Sequence, residues 1–349
     1  MSMKRMAVVA MAGLFACNAA FAHKINPMEH KYRQGPSTPL GKISEPVHEE
    51  LTQRARACQQ SRPDAPVLPL VCGDRSDLSR DPRGNKYDAL VRGVWWNDDP
   101  NQMLFALHQA KWLLWLDDAQ GIATRGVNWR GRPARIGPDY NMTYRSHYGD
   151  MQFLHAMASA DKETASQTRE HVLLWAEFAY GVAVGRLDAE TFMDRVEPSG
   201  LRAYFPRQSG WTVNYLFAPH YRLKEAAYTR RMAAGSLLHM VQDSYSAAHV
   251  DREFGASARC PAGRVLEFHS YTHQDPDRHG AADLRSAWQA RSFTDAQDPV
   301  NASATLLAYI AQGAEWDVVK SYLTGTVFCI DDDARIAGPG EFATIGASP

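Results

Sequence analysis

The 349-residue chain lacks an excess of either charge: 38 Lys and Arg stand against 39 Asp and Glu, a formal net charge of -1. A basic surplus is the electrostatic footprint of proteins that bind nucleic acid or an anionic membrane by charge, so its absence weakens those readings. Cysteine is scarce, at five, and no two stand in a Cys-x-x-Cys pair, which argues against a thiolate zinc site. Past residue 22 no apolar run approaches the ~20 residues a membrane helix needs. Walker, Rossmann, Gly-x-Ser-x-Gly and His-Glu-x-x-His patterns are missing, as are internal repeats and low-complexity tracts. The length nevertheless suffices for a sizeable core in one large domain or two.

What is there begins with an export signal. Lys4 and Arg5 precede an apolar run from Met6 to Phe15, and Ala20-Phe21-Ala22 forms a small-x-small cleavage site. Cleavage after Ala22 makes His23 the first mature residue and removes Cys17, so the mature protein is expected to be secreted or periplasmic. In that oxidising setting Cys58, Cys72, Cys260 and Cys329 can pair in any of three ways. Cys58 with Cys72 and Cys260 with Cys329 is favoured, because the first pair closes a short proline-rich loop.

Residues 1–22 are thus read as signal, 23–42 as an extended lead and 43–349 as a helical domain with long loops. Ser44 has N-cap chemistry, with Glu45 and Pro46 in the first turn and His48 just inside. Helices are expected over 101–116, 144–160, 163–186, 222–248, 275–290 and 300–323 from their apolar spacing. His155 reads as a packed core histidine on the second of these, and His171 as structural. Residues 265–271 suit a short strand, and 251–263 a polar loop. The Gly-, Arg- and Pro-rich stretch 124–142 has no period; a loop that long in a helical chain points to a function of its own.

Two polar residues stand out in an apolar part of the 222–248 helix. His239 and Asp243 are four apart and share one face, amid Leu237, Leu238, Met240 and Val241. Buried without partners they would cost roughly 2 to 7 kcal/mol each, so a metal ion or a mutual hydrogen bond must satisfy them. His249 follows after a small-residue step. Val94-Trp95-Trp96-Asn97-Asp98-Asp99-Pro100 aims a carboxylate inward, from Asp98 or Asp99. His147 lies in Ser146-His147-Tyr148, and two further i,i+4 pairs, His279 with Asp283 and His269 with His273, follow downstream.

The spacing His-x3-Asp-x5-His, with Trp96-x-Asp98, Ser146-His147-Tyr148 and His279-x3-Asp283 in order, resembles the zinc-dependent phospholipase C and single-strand nuclease superfamily. It departs from that family at Ser246-Ala247, where Gln-Pro is usual. The resemblance implies an all-α, single-domain fold with three zinc ions. By resemblance Asp98, His147, His239 and Asp243 hold the first ion, His48 and Asp243 the second, and His249, His279 and Asp283 the third, with His269 and His273 the competing pair. Asp98 would also orient the attacking water or take its proton. In family members the mature N-terminus completes the second site, whereas His23 lies about 25 residues before His48.

Imidazole and carboxylate suit zinc that keeps a position open for water, whose pKa falls to about 7. The implied reaction is phosphodiester hydrolysis, with a phospholipid such as phosphatidylcholine at a membrane or micelle surface as the substrate. Trp95, Tyr144 and Tyr148 are candidates to box its quaternary ammonium. The alternatives are a secreted single-strand nuclease or 3'-nucleotidase and, in a different class, a non-enzymatic protein that stores or senses zinc.

Overall fold

A computed structural model describes residues 25, 45–63, 69–73, 88–104, 108–208, 210–219 and 225–344. The signal segment, His23 and Ser44 lie outside the described residues, and the first helix has Pro46 at its cap position with no side-chain cap bond, so Pro46 precedes the first turn expected to contain it. The first four helices are α1 (Val47–Gln60), α2 (Ala89–Trp96), α3 (Gln109–Arg125) and α4 (Met142–Tyr148), followed by α5 (Ala165–Ala183), α6 (Val213–Phe217) and α7 (Ala226–Asp243). Then come β1 (Val250–Glu253), β2 (Arg264–Phe268) and the helices α8 (Pro276–Ala282), α9 (Arg285–Ala290), α10 (Pro299–Gln312) and α11 (Trp316–Tyr322). The architecture is predominantly helical. Among the described residues the only sheet is the antiparallel pair β1–β2, with Val250 opposite Phe268 and a bulge after Asp251.

Helix α7 is the axis. Every residue from Met232 to Asp243 is buried, which marks a helix enclosed on all sides, and α2, α5 and α10 pack around it. The crossing with α2 is exceptionally close because of two glycines. A Cβ on Gly93 would lie 2.2 Å from the Met232 carbonyl oxygen, and one on Gly235 would lie 2.1 Å from that of Leu90. Any side chain there would force the backbones apart. Trp96 stacks on Trp175 of α5 with ring centroids 5.4 Å apart, anchoring the end of α2 in the largest apolar cluster.

Several helices end sooner or start later than apolar spacing predicts, each for a local polar reason. The expected 101–116 helix runs instead from Gln109 to Arg125, since the Asp99 carboxylate accepts from the Met103 and Leu104 amides and holds a turn there. The expected 144–160 helix stops at Tyr148. Gly149 adopts φ -121° and ψ -149°, and a short 3-10 turn, Gln152–His155, redirects the chain. Helix α7 ends at Asp243 because buried Arg252 donates to the Ser244 carbonyl at 2.7 Å and to its hydroxyl at 2.8 Å. Burial lowers the Arg252 guanidinium to about 10, so it remains charged at neutral pH. The 275–290 and 300–323 helices each divide in two, at Leu284 and at residues 313–315, and β1 occupies the start of the expected 251–263 loop.

Disulfides join Cys58 to Cys72 and Cys260 to Cys329, which fits an oxidising, extracellular setting. None of the described helices is long and apolar enough to cross a membrane.

Candidate metal centre

The α2–α7 crossing sets the site. With the backbones so close, the Val94 carbonyl meets His239 Nδ1 at 2.6 Å and fixes that ring. Asn97, at the end of α2, donates to the Leu154 and Ser236 carbonyls and accepts from the Ser236 hydroxyl. These bonds lock α2, α7 and the 3-10 turn together, and Asp98 projects between them.

Two groups of imidazoles and carboxylates result. In the first, donor atoms of His48, Asp98 and His239 lie within 4.8 Å of one another, as do those of Asp98, His147 and His155 and those of His155, His239 and Asp243. Asp243 Oδ1 is 3.1 Å from His48 Nε2, and its Oδ2 is 2.8 Å from His155 Nδ1 and 2.9 Å from His239 Nε2. The second group is His249, His279 and Asp283. His279 Nε2 is 3.1 Å and His249 Nε2 3.9 Å from the Asp283 carboxylate, and His249 Nδ1 is 3.8 Å from Asp243 Oδ2. None of these nine side chains belongs to a residue more than 1 % exposed.

The outer hydrogen bonds decide which nitrogen faces inward. His147 Nδ1 bonds the Thr143 carbonyl at 3.0 Å and His249 Nδ1 the His155 carbonyl at 2.8 Å. A carbonyl only accepts, so each of these rings, like that of His239, carries its proton on Nδ1 and turns the Nε2 lone pair toward the centre. His48 and His279 do the same through Gln242 Oε1 and Gln274 Oε1, both at 2.6 Å. The Gln274 amide is oriented by donating to the Ala248 and Pro339 carbonyls, and that of Gln242 by donating to Thr52 and Ser303. Anchoring of the outer ring nitrogen is what metal-ligating histidines need.

The electrostatics agree. Burial alone would raise Asp243, but His239, His249 and His48 and the bond from His155 outweigh it and hold the carboxyl well below its ordinary value. Asp98 is lowered in the same way, against burial, by His239, His147 and His155. His48 is raised, since Asp243 overcomes its desolvation. Burial pushes His155 down to about 3, with His147 and His239 adding to it against Asp243. His249 is also lowered by burial, so its ring stays neutral.

His147 Nε2, His249 Nε2, His155 Nε2 and Asp98 Oδ1 are buried and make no hydrogen bond. Such atoms cost about 1–3 kcal/mol each when left unsatisfied, and a divalent cation would meet them together. The residues fit a metal ion.

The structure thus brings His48, Asp98, His147, His239, Asp243, His249, His279 and Asp283 into two adjoining groups. Asp99 faces elsewhere, on the Met103 and Leu104 amides, and burial raises it to about 8. Of the competing pair, His273 is exposed and bonds Asp161, while His269 bonds the Ala248 carbonyl beside Gly340 and joins neither group. The expected aromatic box does not form: Trp95 is buried in one cluster, with its Nε1 on Glu49, and Tyr144 and Tyr148 lie in another.

His155, expected in the core, is a member of the first group. Tyr271, expected only as the end of a short extended piece, joins the site as well. Its ring lies 4.9 Å from that of His279, 5.8 Å from His249 and 6.1 Å from both His147 and His155, so it stands between the two groups. Its hydroxyl is buried without a hydrogen bond, and burial together with Asp243, Asp283 and Asp98 raises it well above its ordinary value.

No family model, no curated protein and no solved structure matches the chain.

Proposed function

We propose that the chain is a zinc-dependent phosphodiester hydrolase of the phospholipase C type, acting on phospholipids such as phosphatidylcholine. One observation carries the reading: buried imidazoles and carboxylates from separate elements converge, with the histidines' inward nitrogens left as lone pairs by their outer bonds. Asp98, His147, His239 and Asp243 would hold one ion with His155 beside them. His48 and Asp243 would hold a second, and His249, His279 and Asp283 a third. Bound there, zinc supplies Lewis acidity toward phosphoryl oxygens and a source of hydroxide at neutral pH.

The chain's own groups do the rest. Asp98 is held ionised, so the carboxylate oxygen that the ion does not take can accept the proton of the attacking water. As the new bond from water oxygen to phosphorus forms, the ester bond to the glycerol oxygen breaks; the proton taken by Asp98 passes to that oxygen through solvent, so it leaves as the diacylglycerol alcohol and Asp98 is ionised again. Tyr271, whose buried hydroxyl stands between the two groups without a hydrogen bond, would donate to a phosphoryl oxygen whose charge grows in the transition state.

The enclosure of the nine side chains favours a second reading, a secreted protein that stores or senses zinc and hydrolyses nothing. Metal analysis of the purified protein, with parallel assays on phosphatidylcholine and single-stranded DNA for wild type and Asp243→Asn, separates them. The expected outcome is zinc in the wild type and phosphatidylcholine hydrolysis that falls, with the zinc count, in the variant. Cleavage of DNA alone would move the substrate to nucleic acid. Zinc without turnover on either substrate leaves the storage reading, and unchanged turnover in the variant rejects the metal mechanism.

A further inference from the structure

The stretch between α3 and α4 contributes nothing to the metal centre, yet it is built with care. Val127 bridges Pro133, and the Asn128 amide donates to the Arg132 carbonyl at 2.9 Å. The Asn128 side chain accepts from the Arg130 and Arg132 amides at 3.0 and 3.1 Å, closing a rigid turn. The Trp129 amide bonds Asp118 of α3, whose other carboxylate oxygen takes the Tyr144 hydroxyl of α4 at 2.9 Å. Ala134 and Ile136 pack beneath, on the cluster holding Tyr148 and Tyr271. The turn is therefore fixed to the same helix that carries His147.

What this scaffold holds outward is the reverse of what a surface loop ordinarily shows. Trp129 is 72 % exposed, and Leu114, one helical turn from Asp118 on α3, is 66 % exposed. The Arg130 guanidinium lies 4.5 Å from the Trp129 ring centroid. Arg125, Arg132 and Arg135, close by in sequence, are exposed as well, and residues 119–138 contain no Asp or Glu. None of these four arginines forms an ion pair with a described residue, and nearby Asp139 is taken by Arg207 at 2.7 Å. In a chain whose net charge is -1, this is a local run of unpaired positive charge on a hydrogen-bonded turn that carries a solvent-facing indole.

We propose that this turn is a docking surface for an anionic phospholipid bilayer, with Trp129 and Leu114 entering the headgroup boundary and the four arginines facing lipid phosphates. Indole rings settle at that boundary, and exposed basic residues add attraction to anionic headgroups. Single-stranded nucleic acid would call for successive stacking rings along a groove, whereas here one ring and one aliphatic side chain flank a tight turn. The proposal rests on the phospholipid reading of the site, but its test reads binding alone and so can fail or succeed apart from turnover.

The test uses the zinc-loaded full chain, sedimented with vesicles of mixed phosphatidylcholine and phosphatidylglycerol or of phosphatidylcholine alone, and titrated with a single-stranded oligonucleotide. Expected are partition onto the anionic vesicles, weakening with added salt, and a drop of about tenfold or more for Trp129→Ala and for the double variant Arg130→Gln/Arg132→Gln. Zinc content and hydrolysis of a water-soluble short-chain phosphodiester should match wild type in both variants, showing that the fold is intact. Absence of binding to anionic vesicles, equal binding by the variants, or preference for the oligonucleotide would each overturn the proposal.

Discussion

Asp243 touches more of the candidate metal centre than any other side chain, with one oxygen on His48 and the other between His155 and His239. The site's histidines are set in turn by residues that never meet the centre, and these give sharper tests than the ligands themselves. Gln274 holds His279 and is itself held by two carbonyls. Gln274→Leu should weaken metal binding about 10- to 100-fold at the His249/His279/Asp283 group while leaving the Asp98 group filled, read by chelator competition. Equal occupancy of both groups in the variant would show that the outer bond does not matter. Tyr271→Phe should keep full zinc content and melting temperature but lower kcat roughly 100-fold with little change in KM, as expected for a lost donor to transition-state charge. An unchanged kcat would remove Tyr271 from the mechanism. At this scale the sequence was legible where spacing carries the information, as in His239 and Asp243 on one helical face. His155 was illegible, because reading 144–160 as one continuous helix leaves it among Leu154, Ala156 and Met157. Only the break at Gly149 turns it toward Asp243, and a lone glycine is a weak signal before the fold is known.

The pairing of α2 with α7 places His239 against Val94 and Asp98 beside both, and it depends on two residues without side chains. Gly235→Ala sets a methyl 2.1 Å from the Leu90 carbonyl, so the helices must separate. Overpacking of this kind costs about 1–3 kcal/mol. The expected result is a melting temperature lower by several degrees and weaker zinc binding at the Asp98 group, measured by thermal unfolding and metal titration. A variant as stable and as metal-replete as wild type would show that the crossing tolerates more space than its geometry indicates. Elements were readable in proportion to how much their own apolar stripe decides them. Helix α7 is found within a few residues of its expected bounds, while the 101–116 helix is displaced because the Asp99 carboxylate captures two amides that the stripe assigns to a helix. Spacing likewise could not choose between His269/His273 and His279/Asp283. That choice is made by chain path: His273 sits at φ 66° just past β2, faces Asp161 and is exposed, whereas α8 carries His279 inward.

For the whole molecule, the consequence of enclosing Asp98, Asp243 and Asp283 with six imidazoles is that any metal bound there would be coupled to folding. Ions bound to the folded chain and absent from the unfolded one stabilise it by mass action. Free zinc at a thousand times Kd contributes about 4 kcal/mol per site. With about 2 °C of melting temperature per kcal/mol in a chain of this size, removing even one ion should lower the transition by roughly 8 °C. The two disulfides, spanning 14 and 69 residues, persist through chelation, so the metal-free protein should remain folded at room temperature and the loss should be reversible. EDTA is therefore expected to lower the melting temperature and added zinc to restore it. Magnesium, which disfavours imidazole donors, should not. Acid should act in the same direction as EDTA, because the rings bind metal only when neutral and each proton taken up displaces it. A transition indifferent to EDTA, zinc and pH alike, in protein that carries no metal when purified, would mean that the convergent histidines serve each other and not an ion.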